Sequence, residues 1–156
     1  MSTPPRLDDQ LCFALYAASR AVVQAYQPVL EPLGLTYPQY LALLVLWEED
    51  GASVGRIGER LQLDSGTLTP LLKRLEAQEL VERRRDADDE RVVRIHLTAA
   101  GKRLRQRATE VPKALLCKAR LPLGDIARLR DELHRLTDAV HASGADATPT
   151  KKDRIP

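Results

Sequence analysis

The chain has 156 residues, which is enough for one ordinary domain and too few for two independent hydrophobic cores. Hydrophobic residues make up 44% and charged residues 29%, a balance that excludes wholesale disorder. Aromatic residues are only 4%, while leucine, alanine and arginine are abundant, which favours packed helices over a β-sandwich. The net charge of +2 does not by itself indicate a nucleic-acid partner.

The sequence lacks the patterns of a membrane, secreted or metal-binding protein. No apolar run approaches the ~18 residues of a membrane span, and the N-terminus lacks a secretory signal, so we expect a cytoplasmic protein with no membrane partner. Cys12 and Cys117 are too few for a disulfide scaffold and serve either as buried spacers or as a redox pair. No metal-ligand spacing occurs among the cysteines and histidines, so we expect no metal and no cofactor. The histidines are His96, His134 and His141.

Charge is distributed unevenly along the chain. Residues 1–52 carry two basic and six acidic side chains, residues 53–97 carry nine of each, and residues 98–120 carry seven basic and one acidic. A nucleic-acid interface therefore has to be argued from the placement of charges rather than from their sum.

The N-terminal third predicts two helices. Asp8 or Asp9 can cap the first, whose apolar positions recur at intervals of three and four residues. Those positions are Leu11, Leu15, Ala18, Val22, Ala25 and Val29. We expect a break in the helix between Pro28 and Gly34, with Pro32 between them. Segment 37–47 is almost wholly apolar and predicts a short helix at the centre of the core.

The next segment predicts two helices joined by a tight turn. After a turn at 50–51, Ser53 caps a short helix over 54–61. A second helix begins at Ser65, runs to about Gln78 and places its leucines on one side.

Two β-favouring runs, 80–84 and 92–97, flank a polar segment and predict a hairpin. Helix, tight turn, helix and hairpin is the order of a winged helix-turn-helix, in which the second helix enters the major groove of DNA. We therefore expect a mainly α fold with a small β-hairpin wing. Residues 53–97 form the predicted DNA-binding region, and double-stranded DNA is the predicted partner.

The C-terminal part predicts two further helices. Thr98 caps the first, which is expected to kink at Pro112. The second carries a heptad-like apolar seam that needs a partner helix. The seam residues are Ile126, Leu129, Leu133, Leu136 and Val140. Residues 1–52 and 98–141 are thus assigned to a helical dimerisation region, and the small polar residues of 142–156 predict a flexible tail.

Short polar donors and basic side chains mark the predicted DNA-contacting surface. The candidates are Ser65, Thr67, Thr69, Lys73, Arg74, Arg84, Asp89 and Arg91. Those on the helix suit phosphates and base edges, and the alternative is an ordinary solvated helix face.

The tip of the predicted wing is acidic and would repel phosphates unless its charges are neutralised or turned away. Asp89, two residues before Arg91, can hold the guanidinium in a bidentate pair aimed at the minor groove. The alternative is a surface ion pair worth ~0 to 1 kcal/mol.

Three stretches resemble the MarR family of bacterial regulators, specifically its organic hydroperoxide-sensing OhrR subgroup. They are QLCFALY with YPQYLALLVLWE, LDSGTLTPLLKRLEAQELVERR, and DADDERVVRIHLTAAG. The resemblance implies a homodimeric repressor that binds a pseudo-palindromic operator and releases it when an organic hydroperoxide oxidises a cysteine. That cysteine matches Cys12, and its hydrogen-bonding tyrosines match Tyr26 and Tyr37. Cys117 is similar to the second cysteine with which some members close an intersubunit disulfide.

Helix geometry adds a condition to the tyrosine assignment. Tyr26 follows Cys12 by fourteen residues on one predicted helix, and at ~1.5 Å per residue the separation is about 21 Å, far beyond hydrogen-bond reach. If Tyr26 bonds the sulfur, it must come from a second subunit whose first helix crosses antiparallel about a twofold axis. The sensor site then requires a homodimer.

Two other functions remain open from the residues alone. A MarR-type repressor controlled by reversible binding of a small aromatic ligand would use the same fold with inert cysteines. A thiol peroxidase would leave the helix-turn-helix without a role, so we do not expect an enzyme. The favoured hypothesis is that oxidation of Cys12 to sulfenic acid, trapped by the partner subunit's Cys117, shifts the helices that set the spacing of the two winged regions.

Overall fold

The computed structural model describes residues 5–145, which form one unit up to Lys118 and a second unit from Ala119. A single 3₁₀ turn, Leu7–Asp9, precedes the main elements of the described chain. These are α1 (Leu11–Leu30), α2 (Tyr37–Glu48), α3 (Val54–Leu61), α4 (Ser65–Ala77), β1 (Val81–Arg85), β2 (Val93–Leu97), α5 (Ala99–Arg107), α6 (Val111–Ala119) and α7 (Leu123–Ala145). The elements confirm the predicted mainly α class with a small β-hairpin wing.

Helix α2 lies at the centre of the core, as its apolar sequence predicts. Leu43 and Leu46 are completely buried, and Tyr40 is nearly so. Thr36 and Gln39 form a capping box at the N-terminus: the Thr36 N–H donates to Gln39 Oε1 at 2.9 Å, and the Gln39 N–H donates to Thr36 Oγ1 at 3.4 Å. The buried leucines of α4 pack into the same core.

A side chain caps the N-terminus of each of the next two helices, α3 and α4. Ser53 Oγ accepts from the Arg56 N–H at 3.1 Å, and Asp64 Oδ1 accepts from the Thr67 N–H at 2.8 Å. The hairpin is antiparallel, with Val81 opposite Leu97 and the register running to its tip. Helices α3 and α4 and the hairpin thus follow one another in the order of a winged helix-turn-helix.

The start of α5 packs closely against the base of the hairpin. Thr98 caps the helix by accepting from the Gly101 N–H at 3.1 Å, and Trp47 Nε1 donates to the Gly101 carbonyl at 3.0 Å. A Cβ on Gly101 would lie 2.1 Å from the Leu80 carbonyl oxygen, so only glycine fits there.

Two helix-boundary predictions were wrong. In the first, the N-cap of α1 is Gln10, because Asp8 and Asp9 belong to the preceding 3₁₀ turn.

The predicted break between Pro28 and Gly34 is confirmed, because α1 ends at Leu30 and a 3₁₀ turn follows. Pro28 itself lies inside α1, and the carbonyl that loses a donor belongs to exposed Gln24, where water can replace the missing N–H.

The second error concerns Pro112, where the sequence predicts a kink. The break instead precedes it, at the 3₁₀ turn Ala108–Glu110. Pro112 is the second residue of α6, a position where a missing N–H is tolerated. Buried Val111 anchors the helix just before it.

The two long helices expose apolar side chains. In α1 only Leu30 is buried, and Leu11 is 60% exposed. In α7 the predicted seam is largely exposed, with Val140 at 62%. The tail prediction was wrong for residues 142–145, since α7 runs to Ala145, and its remainder lies outside the described residues. Within 5–145 no single helix is long and apolar enough to cross a membrane, although the bent pair 11–33 and 37–48, at 71°, reaches that length and composition together.

Candidate functional site

Helix α4 separates a buried apolar side from an exposed polar side. Its buried residues are Leu68, Leu71, Leu72 and Leu75. Of the candidate DNA-contacting residues, Ser65, Thr67, Lys73 and Arg74 are exposed, and Thr69 is half-buried. The Thr67 hydroxyl donates to Asp64 Oδ2 at 3.0 Å and so belongs to the helix cap. These side chains share the solvent-facing side of α4, where a nucleic acid can reach them.

A half-buried arginine side chain connects α4 to the hairpin. Arg83 Nη2 lies 3.5 Å from the Thr69 carbonyl oxygen, and Arg83 Nε lies 3.3 Å from Glu76 Oε2. A cleft of about 430 Å³ lies between the start of α3, α4 and the hairpin, and Arg83 and Arg91 are both among its lining residues. Two guanidinium groups, each paired with a carboxylate, therefore line a cleft on the surface that carries the candidate DNA contacts.

Asp86 turns its carboxylate into the tip of the hairpin. Its Oδ1 accepts from the N–H groups of Asp88 and Asp89 at 2.9 and 3.2 Å, and its other oxygen pairs with the guanidinium of Arg94. The Arg94 side chain and the two N–H groups hold the pKa of Asp86 below its ordinary value. Part of the acidic charge at the tip is thus neutralised from within the wing.

The bidentate pair predicted at the tip is present. Asp89 Oδ1 and Oδ2 accept from Arg91 Nε and Nη2 at 3.0 and 3.1 Å, and Oδ1 also accepts from the Arg91 N–H at 3.0 Å. The Arg91 side chain is 89% exposed, and its hydrogen bonds lower the pKa of Asp89. Arg84 is also exposed and pairs with Glu82. Contact between either arginine and DNA stays a prediction.

Tyr26 and Tyr37, from α1 and the first turn of α2, stack on each other. Their ring centroids are 5.0 Å apart at an interplanar angle of 21°, and Tyr40 packs 6.4 Å and 6.3 Å from the two rings. Burial raises the pKa of both Tyr26 and Tyr37, and their mutual proximity raises that of Tyr26 further. Both phenols therefore keep their protons at neutral pH and can donate hydrogen bonds.

The two cysteines are exposed and free. Cys12 lies in the first turn of α1, at the opposite end of the helix from Tyr26, about 21 Å along the axis at ~1.5 Å per residue. Cys117 lies in α6, next to Lys118, whose Nζ donates to the Ala25 carbonyl of α1 at 3.3 Å. The structure thus brings the two predicted tyrosines together but keeps Cys12 of the same chain away from them.

A cavity of about 440 Å³ opens beside the tyrosine pair, where α1 ends and α2 begins. Its largely apolar lining includes Val23, Leu30, Leu35 and Pro38, together with Tyr37. A small apolar molecule or an apolar side chain would fit there.

Comparison with known proteins gives one consistent result. The family model described as transcriptional regulator SarA/Rot matches residues 24–108. The organic hydroperoxide resistance transcriptional regulator of Bacillus subtilis (strain 168) is 46% identical, over 87% of this chain and 92% of its own. The HTH-type transcriptional regulator TtmR of Methylorubrum extorquens (strain PA1) is 50% identical, over 93% of this chain and 78% of its own. The chain belongs to the OhrR subgroup of the MarR family.

A solved member of the family agrees in fold. Reduced AbfR bound to DNA is 39% identical and covers 86% of this chain and 94% of its own, with a TM-score of 0.71. AbfR has also been solved in a disulfide form, at a TM-score of 0.60. These comparisons confirm the family resemblance and the class of transcriptional regulator.

The sequence predicts that Asp86 and Arg94 lie in the hairpin but does not indicate that they contact each other. The acidic tip is expected only to repel phosphates, although an Asp followed by a polar turn often accepts from N–H groups two and three residues later, as Asp86 does. No local pattern pointed to Arg94, because its partners come from the far side of the wing and from the α2–α3 turn. Asp86 and Arg94 together connect the tip of the wing to the α2–α3 turn.

Proposed function

We propose that the protein is a homodimeric repressor that binds a pseudo-palindromic operator in double-stranded DNA and releases it when an organic hydroperoxide oxidises Cys12. Support for DNA binding comes from the exposed polar side of α4, from the guanidinium of Arg91 held at the wing tip, and from relatives that carry the same fold. In this reading α4 enters the major groove and Arg91 enters the adjacent minor groove.

The main support for redox control at a shared site is the distance between Cys12 and the tyrosine pair of the same chain. Tyr26 and Tyr37 form one stacked pair with protonated hydroxyls, and Cys12 lies about 21 Å from Tyr26 along an uninterrupted helix at ~1.5 Å per residue. A sulfur that receives both hydrogen bonds therefore belongs to a partner subunit whose α1 crosses antiparallel. The exposed apolar residues of α1 and α7 are the surfaces such a dimer would bury.

The chemistry follows from the thiol and the peroxide. The Cys12 thiolate attacks the terminal peroxide oxygen, the O–O bond breaks, and Cys12 becomes a sulfenic acid, while the alkoxide that leaves takes a proton from water to become an alcohol. The thiol of the partner subunit's Cys117 then displaces water and forms a disulfide. Because Cys117 and Cys12 lie on helices of the predicted dimerisation region, joining them would shift the two winged regions away from the ~34 Å spacing that successive major grooves require.

The test uses a duplex selected from a randomised pool by the reduced wild-type protein. The reduced protein should bind it, one equivalent of cumene hydroperoxide should release it, and dithiothreitol should restore binding. Cys12→Ser should bind but ignore the peroxide. Peroxide-driven release in Cys12→Ser would exclude Cys12 as the sensor.

A second candidate function is favoured by the 440 Å³ cavity beside Tyr37. A repressor controlled by a reversibly bound small aromatic ligand would use such a cavity and leave the cysteines inert. In that case an aromatic acid would release the duplex from Cys12→Ser and from the wild type equally, and dithiothreitol would have no effect.

A further inference from the structure

A series of polar contacts leads from the exposed Arg91 back to the helical core. Asp89 holds Arg91, and the N–H of Asp89 donates to Asp86 Oδ1 at 3.2 Å. Asp86 in turn pairs with Arg94, whose Nη1 donates to the carbonyl of Gly51 at 3.1 Å. The wing tip is therefore connected to the α2–α3 turn through one arginine and one carboxylate.

Backbone contacts fix the strand from which Arg94 projects. The Gly51 N–H donates to the Ile95 carbonyl at 3.0 Å, and the Ile95 N–H donates to the Ala52 carbonyl at 3.0 Å. Ser53 forms a β-bridge with Arg94 itself. Strand β2 is thus bonded to the α2–α3 turn at this point, and the Arg94 side chain extends the attachment from there to the tip.

We propose that Arg94, acting through Asp86, is a positioning residue that holds the wing tip in the conformation presenting Arg91 to DNA. The inference rests on the proposed DNA-binding function. Neither residue has to touch DNA for this role.

The physical reason is the cost of ordering a long exposed side chain. An arginine side chain that becomes immobilised on binding loses rotamer entropy, and this loss reduces the affinity for DNA. The loss is smaller if the side chain is already ordered in the free protein. Asp89 restrains Arg91 only if the tip backbone is fixed, and Asp86 fixes it by accepting two of its N–H groups. The side chain of Asp86 is only 12% exposed, so without Arg94 its carboxylate loses its main partner and would turn toward water, which releases the N–H groups of the tip.

A direct contact between Arg94 and a phosphate is the competing explanation, since the side chain is 45% exposed. The substitution Arg94→Lys distinguishes a phosphate contact from the positioning role. The lysine ammonium keeps the positive charge for a phosphate, but it lacks the planar fork with which Arg94 uses one nitrogen for Asp86 and another for Gly51.

The experiment measures the dissociation constant of the reduced dimer for the selected duplex. We expect Arg91→Ala to weaken binding about tenfold or more, in line with the loss of one groove contact. Arg94→Gln and Arg94→Lys should each weaken it about fivefold, whereas Arg94→Gln added to Arg91→Ala should cost less than about twofold, because the side chain being positioned is already gone. Asp86→Ala removes the acceptor of both tip N–H groups together with the partner of Arg94, so it should resemble Arg94→Gln.

Arg128→Gln is the matched control, because it removes the same charge and breaks an exposed ion pair, to Asp125 at 3.2 Å, on α7. It should bind the duplex like the wild type, and thermal unfolding should show every variant folded at the assay temperature. The inference is overturned if Arg94→Lys binds like the wild type, if Arg94→Gln has no effect, or if its effect is equal in both backgrounds. If Arg91→Ala binds normally, the minor-groove role in the proposed function fails as well, which distinguishes the two failures.

Discussion

The arrangement of thiol and tyrosines in trans can be tested by placing them on different chains of a heterodimer. In the first heterodimer, one chain keeps Cys12 but carries Tyr26→Phe and Tyr37→Phe, while the other has both tyrosines and Cys12→Ser. In the second, all three substitutions are on one chain and the other is unchanged. Both carry Cys117→Ser throughout, so each dimer has one thiol and one tyrosine pair, and only their distribution differs.

The expected magnitude follows from the geometry. The two phenols stack on each other and are protonated, and each hydrogen bond that one of them donates to an ionised group is worth ~1.5 to 3 kcal/mol. Losing both should slow alkylation of Cys12 by at least about tenfold, since ~1.4 kcal/mol corresponds to a factor of ten. An in-chain contact would have to span about 21 Å of helix at ~1.5 Å per residue, so it is excluded.

The assay is the rate of fluorescent alkylation of Cys12 at neutral pH. The first heterodimer should react at the wild-type rate per thiol, because the partner subunit supplies the phenols. The second should react as slowly as the homodimer carrying both Phe substitutions. The opposite order of rates, or equal rates in the two heterodimers, would refute the arrangement in trans.

Three further predictions concern the disulfide, the core and acid stability. Cys117→Ser should bind the selected duplex but give no dimer-sized band on a non-reducing gel after peroxide, and a persistent crosslink would exclude the proposed pairing. Gly101→Ala should lower the free energy of unfolding by about 2 kcal/mol or more, because its Cβ meets the Leu80 carbonyl at 2.1 Å; an unchanged urea midpoint would contradict this packing. Burial disfavours the charge of Asp50, but the Leu97 N–H and Lys102 outweigh it and lower its pKa. The ionised Asp50 therefore contributes its full stabilisation of the folded state above its unfolded pKa of about 3.9, and this stabilisation is lost as the pH falls through the lower folded pKa. The melting temperature should consequently fall less on acidification below pH 4 in Asp50→Asn than in the wild type.

Elements with local signals were predicted to within a residue or two. The apolar segment of α2 and the capping residue Ser53 act on their immediate neighbours, and the sequence shows both. The Asp89–Arg91 pair was found for the same reason, since its members are two residues apart. Such features depend on propensity, capping and short-range pairing, which a single sequence displays.

Features that depend on distant partners were missed or misplaced. Arg94 bonds Gly51 across 43 positions of sequence, and nothing near either residue indicates this contact. The break between α5 and α6 lies beside buried Ala108 and Val111, whose burial no local pattern indicates, whereas the sequence drew attention to Pro112, which is tolerated early in a helix. The meeting of Tyr26 and Tyr37 likewise came from family resemblance and not from any local pattern.

The central claim is that two subunits share each sensor site, and the stoichiometry of the reduced complex tests it most directly. Native mass spectrometry of the protein with the selected duplex should show two protomers per duplex, with dissociation of the protein from DNA after one equivalent of cumene hydroperoxide. A single protomer bound per duplex at full affinity, and released by peroxide in the same way, would contradict the account.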